Sequence, residues 1–155
     1  MTNSNWLALA VVGAVGTLGY MKMKDKDILA RTLWGEARGE GRAGMEAVAA
    51  VIMNRYNASA WYSGPTIAAV ARKKYQFSCW NPKDPNYDKL LSVDETDPLF
   101  ALALEIADNA IAGKLADPTD GATHYFASYI AAPDWSYGAQ QTAKIGKHLF
   151  YKGVA

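Results

Sequence analysis

A mostly buried helix is written into "MEAVAAVIMNRYN", Met45 to Asn57, and the rest of the chain has to be built around it. Met45, Val48, Ala49, Val51, Ile52 and Tyr56 recur at helical spacing and form its inward side. A helix with that much apolar surface needs other elements packed against it. The sequence supplies them. "KDKDILARTLWGEAR" reads as a helix capped by Asp25 or Asp27, with Ile28, Leu29, Thr32, Leu33 and Glu36 near helical spacing. "GPTIAAVARK" gives a short helix with proline near its start. "DPLFALALEIADNAIAGK" is the clearest amphipathic helix, with Leu99, Leu102, Ala103, Ile106 and Ala110 on its inner face and Gly113 near its stop. "YQFSCWNPKDPNYD" reads as a long loop because of Pro82 and Pro85. "DPTDGATHYFAS" predicts a turn and a short strand, and "TAKIGKHLFYK" the matching strand. The fold class is α+β, mostly α, with a small antiparallel β-sheet.

Length and charge narrow the function classes. A chain of 155 residues is one domain with room for a real core. A net charge of +1 without a basic stripe calls for no nucleic-acid partner. The single cysteine, Cys79, excludes an internal disulfide framework, and no cysteine–histidine set has metal spacing, so neither metal nor other cofactor is expected. The N-terminal stretch differs from the rest, with no charged side chain before Lys22. Trp6 to Met21 would make a helix roughly 24 Å long, a little short of a hydrocarbon core of about 30 Å. We read residues 1–23 as a hydrophobic helix and weak membrane anchor, and 24–155 as the folded domain; the competing reading is a buried N-terminal helix. Lys22, Lys24 and Lys26 follow the span, and the positive-inside rule would then keep the bulk of the chain on the cytoplasmic side.

"RTLWGEARGEG", Arg31 to Gly41, sets Glu36 and Glu40 four residues apart among glycines. On a helix the pair would share a face and repel by a few tenths of a kcal/mol. Glu36 falls on or beside the apolar side of its helix, where a carboxylate needs hydrogen-bond donors. Either the stretch carries chemistry or it is a helix ending in a glycine-rich turn.

Four segments decide between these. "LWGEARGEGRAGMEAVAAVIMNR", "YQFSCW", "DPTDGATHYF" and "KIGKHLFY" occur in the order seen in the cell-wall hydrolase family typified by the spore-cortex-lytic enzymes, and the chain from Ile28 to Tyr151 resembles that family. The resemblance implies a lysozyme-like catalytic domain related to goose-type lysozymes and lytic transglycosylases. It implies cleavage of the β-1,4 bond between N-acetylmuramic acid and N-acetylglucosamine in peptidoglycan glycan strands, and it places the catalytic glutamate at Glu36. Such a reaction needs a carboxylic acid still protonated near neutral pH, as an apolar pocket provides. Lytic transglycosylases use one glutamate and form a 1,6-anhydro sugar; a muramidase would use water instead, and a non-catalytic glycan-binding protein is the rival from another class. Glu40 is either a second catalytic carboxylate or, the preferred reading, a turn residue paired with Arg38, Arg42 or Arg55.

Substrate contacts are expected from Gln76, Phe77 and Ser78, which match the family's Q-F-S segment, with Phe77 alternatively a core plug. Thr123 and Tyr125 lie where the family's strand borders the cleft, and the Tyr125 hydroxyl has Glu36 or substrate as its partner. Trp135 is either a sugar-stacking platform or simple packing. His124 and His148 read as structural, and Asn54 and Arg55 as ties for loops. The apolar leader resembles the signal-anchor-release leaders of bacteriophage endolysins. The expectation is a membrane-anchored phage lysin acting on the cell wall from the host periplasm or a virion membrane, with other virion or lysis proteins as further candidate partners.

Overall fold

The computed structural model describes residues 24–155, so the N-terminal hydrophobic helix and anchor expected over 1–23 lie outside the described residues. Among the described residues, no helix is long and apolar enough to cross a membrane. The elements are α1 (24–37), α2 (Gly41–Asn57), α3 (Ile67–Ala71), α4 (Tyr87–Ser92), α5 (Pro98–Ile111), β1 (His124–Ala127), β2 (Gln140–Ile145) and β3 (His148–Lys152). A 3₁₀ turn, Arg38–Glu40, joins α1 to α2.

Helix α2 is buried from both sides, as its sequence requires. Met45, Val48, Ala49 and Ile52 pack into a helical core with Leu29 and Leu33 of α1, Val70 of α3 and Ile106 of α5. Ala47 and Val51 form a second, smaller core with Ala122 and Phe150, against the sheet. One helix thereby holds the helical layer and the sheet together. Tyr56, expected inside, is 38% exposed, and Arg55 instead is buried. The last turn of α2 is where the apolar stripe gives way to a buried cation.

Three other details depart from expectation. Neither Asp25 nor Asp27 caps α1, since both lie within it. Asp25 Oδ1 instead accepts from Ala68 N–H at the start of α3, and Asp27 pairs with Arg31 one turn on. On α5, which Asp97 caps through Leu99 N–H and Phe100 N–H, Phe100 and Ala107 are buried and Leu99 faces outward. Just where the segment read as loop ends, at Tyr87 and Asp88, the chain enters α4 (Tyr87–Ser92), whose Leu90 is buried.

The sheet is antiparallel, as expected, with three strands in the order β1-β3-β2. "TAKIGKHLFYK" is not one strand but the two arms of a hairpin, turning at Gly146 and Lys147. Gly146 has φ +55°, a value that glycine adopts without strain and that a tight hairpin turn demands. Tyr125 stands opposite Phe150 and Phe126 opposite Leu149, so β1 presents Tyr125 to the helical side and His124 and Phe126 to the other.

Candidate active site

Glu36 sits in the last turn of α1, and the glycine before it sets its surroundings. A Cβ added to Gly35 would lie 2.5 Å from Cys79 Cβ and 3.0 Å from its Sγ. Only a bare backbone lets the 3₁₀ turn Ser78–Trp80 come this close to α1. The close approach puts Cys79 N–H 2.9 Å from Glu36 Oε1, with Ser78 Oγ at 3.4 Å from the same oxygen. From the sheet, the Tyr125 hydroxyl donates to Glu36 Oε2 at 3.1 Å. Donors from two separate elements thus fix the plane of one carboxylate, and hydrogen bonds to an ionised acceptor are the stronger kind.

Burial pushes the Tyr125 phenol well above its ordinary value, and the neighbouring Glu36 carboxylate pushes it further, so the hydroxyl stays a donor. Burial, then Glu36, likewise raises the Cys79 thiol, which is a packing group and not a nucleophile. Trp34, adjacent to Glu36 in sequence, is not its pocket wall. It is 1% exposed in the core, with the Arg38 guanidinium 4.1 Å over its ring.

Glu36 opens on a cleft of about 760 Å³, a size suited to a ligand. Gln76, Phe77, Ser78 and Tyr125 line it with Glu36, as the sequence reading expects. Phe77 is 4% exposed in the core, as the core-plug reading has it, and it also lines the cleft. Thr123 and Trp135 do not line the cleft. Thr123 is buried, its hydroxyl 3.0 Å from His124 Nδ1, because its backbone is already tied to Tyr151 in the sheet. Trp135 rides on the turn Asp134–Gly138 and packs on the far face of β1, with ring centroids 5.2 Å from His124 and 5.7 Å from Phe126. In a three-stranded sheet one face is turned to the cleft, and Trp135 and His124 belong to the other.

Glu40 also stays out of the cleft. Its partner is none of the three arginines but the hairpin turn, where Oε2 accepts from Lys147 N–H at 3.2 Å. A side chain at Gly146 would collide with that carboxylate. Glu40 therefore clamps β2–β3 to the end of α1. Among the described lining residues Glu36 is the one carboxylate, facing Arg55, Arg72, Lys73 and Lys74.

Arg55 is the buried brace of the site. It donates to Thr123 O and, at 2.8 Å, to Gln76 Oε1, tying strand and loop as expected of it. Burial lowers its pKa to about 10, with Tyr125 and Tyr62 opposing, and it remains a cation at neutral pH. His124 is lowered to about 4, by burial and then by Arg55, so its ring is uncharged at neutral pH. His148, read as structural, is a partly buried cleft residue, edge-on to Tyr125 at 5.1 Å, with no partner for Nδ1 among the described residues. Trp80 and the run Arg72–Tyr75 also line the cleft. Nothing in their spacing separates them from an ordinary solvated helix end.

The model of the family described as "Cell Wall Hydrolase" matches residues 39–151. The chain belongs to the cell wall hydrolase family. Glu36 lies just ahead of the matched stretch. The chain is 32% identical to the spore cortex-lytic enzyme of Halalkalibacterium halodurans over 126 residues, 81% of this chain and 34% of that protein. It is 33% identical to the spore cortex-lytic enzyme of Bacillus subtilis over 132 residues, 85% of this chain and 39% of that one. It thus spans well under half the length of these relatives. The crystal structure of the catalytic domain of the Bacillus cereus SleB protein superposes with a TM-score of 0.65 at 32% identity, covering 84% of this chain and 91% of that one. The catalytic domain of the germination-specific lytic transglycosylase SleB from Bacillus anthracis gives 0.63 at 32% identity, covering 83% and 94%. The mostly helical fold with its small sheet is that of these domains.

Proposed function

We propose that this chain is a peptidoglycan-cleaving enzyme of the lytic transglycosylase type, with Glu36 as its single acid and base. The observation that carries the reading is a lone carboxylate in the cleft, held by Cys79 N–H, Ser78 and Tyr125. As an acid, Glu36 gives its proton to the glycosidic oxygen between N-acetylmuramic acid and N-acetylglucosamine, and that bond breaks through an oxocarbenium-like state. The resulting carboxylate is stabilised by the same donors. It then takes the proton of the muramic acid 6-hydroxyl, whose oxygen bonds to C1 and closes the 1,6-anhydro ring. One carboxylate suffices for both steps, because no water has to be activated from the opposite face. Gln76 and Ser78 offer polar groups to the acetamido and hydroxyl substituents, over the apolar floor of Phe77.

Zymography on purified cell wall tests this. Glu36→Gln should keep the fold and lose about 10²–10⁴ in rate, the usual worth of a general acid. Glu40→Gln should retain far more activity, since Glu40 holds the hairpin. A folded Glu36→Gln protein that still clears the wall ends the assignment. Product mass separates the anhydro end from the reducing end of a muramidase, which is heavier by one water. A parent protein that binds glycan without cutting it would instead support the non-catalytic reading.

The apolar run Trp6–Met21 supports a tethered enzyme, a lysin of the phage type with the domain starting near Lys24. The full chain should sediment with membranes and a chain begun at Lys24 should not. Equal solubility of the two without detergent would refute the tether.

A further inference from the structure

The wall of the cleft formed by residues 72–75 has features that acid catalysis does not use. Arg72 closes α3, its N–H bonded to Ala68 O. Its guanidinium lies over the Trp80 ring at 5.1 Å, and that ring is itself fixed by a 3.0 Å bond from Nε1 to Thr32. Lys73 is spent internally on the carbonyls of Trp61 and Ser63. Lys74 lies with its ammonium 4.8 Å over the Tyr75 ring. Tyr75 is 89% exposed and holds φ at +67°, a left-handed conformation that costs a bulky residue free energy and is retained where the surroundings impose it. The surroundings here are Gln76 N–H bonded back to Lys73 O, and Gln76 held from below by Arg55.

The result is a strip with two oriented, exposed cations on a fixed backbone. Neither Arg72 nor Lys74 forms an ion pair with a carboxylate among the described residues, where the pairs involve Lys26, Arg31, Arg42 and Lys152. Arg72 and Lys74 line a cleft in which Glu36 is the one acid among the described residues. A concave surface of one sign concentrates ligands of the other.

We propose that Arg72 and Lys74 read carboxylates carried by the glycan strand, and that this enzyme prefers strands bearing acidic groups, such as free lactyl or peptide-stem carboxylates, over neutral ones. This rests on the glycan-cleavage reading above. The aromatic rings beneath the two cations set the direction of each charge, as cation–π contacts do. The preference belongs to binding rather than to bond breaking, because the hydrogen-bond partners of Glu36 among the described residues are Ser78, Cys79 and Tyr125, outside the strip.

The test separates binding from cleavage. The full chain carrying Glu36→Gln binds soluble glycan fragments, before and after their carboxylates are coupled to glycinamide, which leaves the sugars intact and the charges neutral. A second arm uses strands stripped of phosphodiester polymers. The expected result is a Kd about tenfold weaker for neutralised strands, a difference that fades at high salt and disappears when Arg72→Gln and Lys74→Gln are added. Equal Kd values for charged and neutralised strands overturn the proposal, as does a preference that survives the double substitution. A preference lost on removing phosphodiesters instead would reassign the strip to phosphate and overturn the carboxylate assignment. Charge-dependent binding by a parent protein that cuts neither substrate would uphold the strip and sink the reaction.

Discussion

Gly35→Ala is the smallest change that should dismantle the site without touching any group that contacts substrate. The new Cβ would stand 2.5 Å from Cys79 Cβ, where carbon atoms ordinarily stay about 3.5–4.0 Å apart. The third neighbour, Leu90 Cδ1 at 3.2 Å, is the end of a flexible side chain and can turn away. Cys79 cannot, because its backbone is part of the turn Ser78–Trp80. That turn must retreat by about 1 Å to restore ordinary contact. The bond from Cys79 N–H to Glu36 Oε1, now 2.9 Å, would then be stretched beyond hydrogen-bond range. Overpacking of this kind costs about 1–3 kcal/mol, and a catalytic group misplaced by about 1 Å costs on the order of 10² in rate. Helix propensity works the other way, favouring alanine by up to about 1 kcal/mol. The sign of the stability change therefore decides between the two effects. Thermal unfolding and turbidity clearance of cell-wall suspensions measure both. The expected outcome is a Tm lowered by several degrees, at roughly 2–4 °C per kcal/mol for a domain of this size, with lysis falling about 10²-fold. Adding Cys79→Gly, which removes the two nearest atoms, should restore part of the rate. A Gly35→Ala protein with raised Tm and full lysis would refute the close-approach argument.

Other outcomes follow from the same geometry. Tyr125→Phe removes one hydrogen bond to the Glu36 carboxylate, and bonds to charged groups are worth about 1.5–3 kcal/mol, so kcat should fall roughly 10–100-fold with KM little moved; an unchanged kcat in a folded protein would contradict the positioning role. His124 has its pKa lowered from 6.5 to about 4 in the folded chain, so between those values the unfolded chain binds a proton that the folded one refuses. Stability should be fully present above pH 6.5 and fall as pH drops toward about 4, and His124→Gln should flatten that slope in Tm against pH; an unaltered slope would place the acid sensitivity elsewhere. Lysis should persist through chelation, since one carboxylate performs both proton transfers; loss on chelation with recovery on adding a divalent ion would contradict the mechanism.

Much of this protein was decided by its sequence alone. The apolar content of Met45–Asn57 required a helix buried from more than one side, and α2 joins two cores for that reason. Asp97 with Pro98, and the glycine after Ala112, bounded α5 because caps are local chemistry. The motif around Glu36 and the Q-F-S segment were legible because their residue types sit in a fixed order. Tertiary structure decided the rest. Period-2 alternation does not say which face of β1 meets the cleft, so Tyr125 went to Glu36 while Trp135 and His124 went to the far side. A carboxylate's partner depends on which distant turn arrives beside it, and for Glu40 that was the hairpin at Lys147, 107 positions along the chain. Arg72 and Lys74 look like any solvated helix end until the fold lays them along the wall of a cleft. Gly35 shows the division most directly: the sequence makes room by omitting a side chain, but only the folded chain brings Cys79 there to fill it.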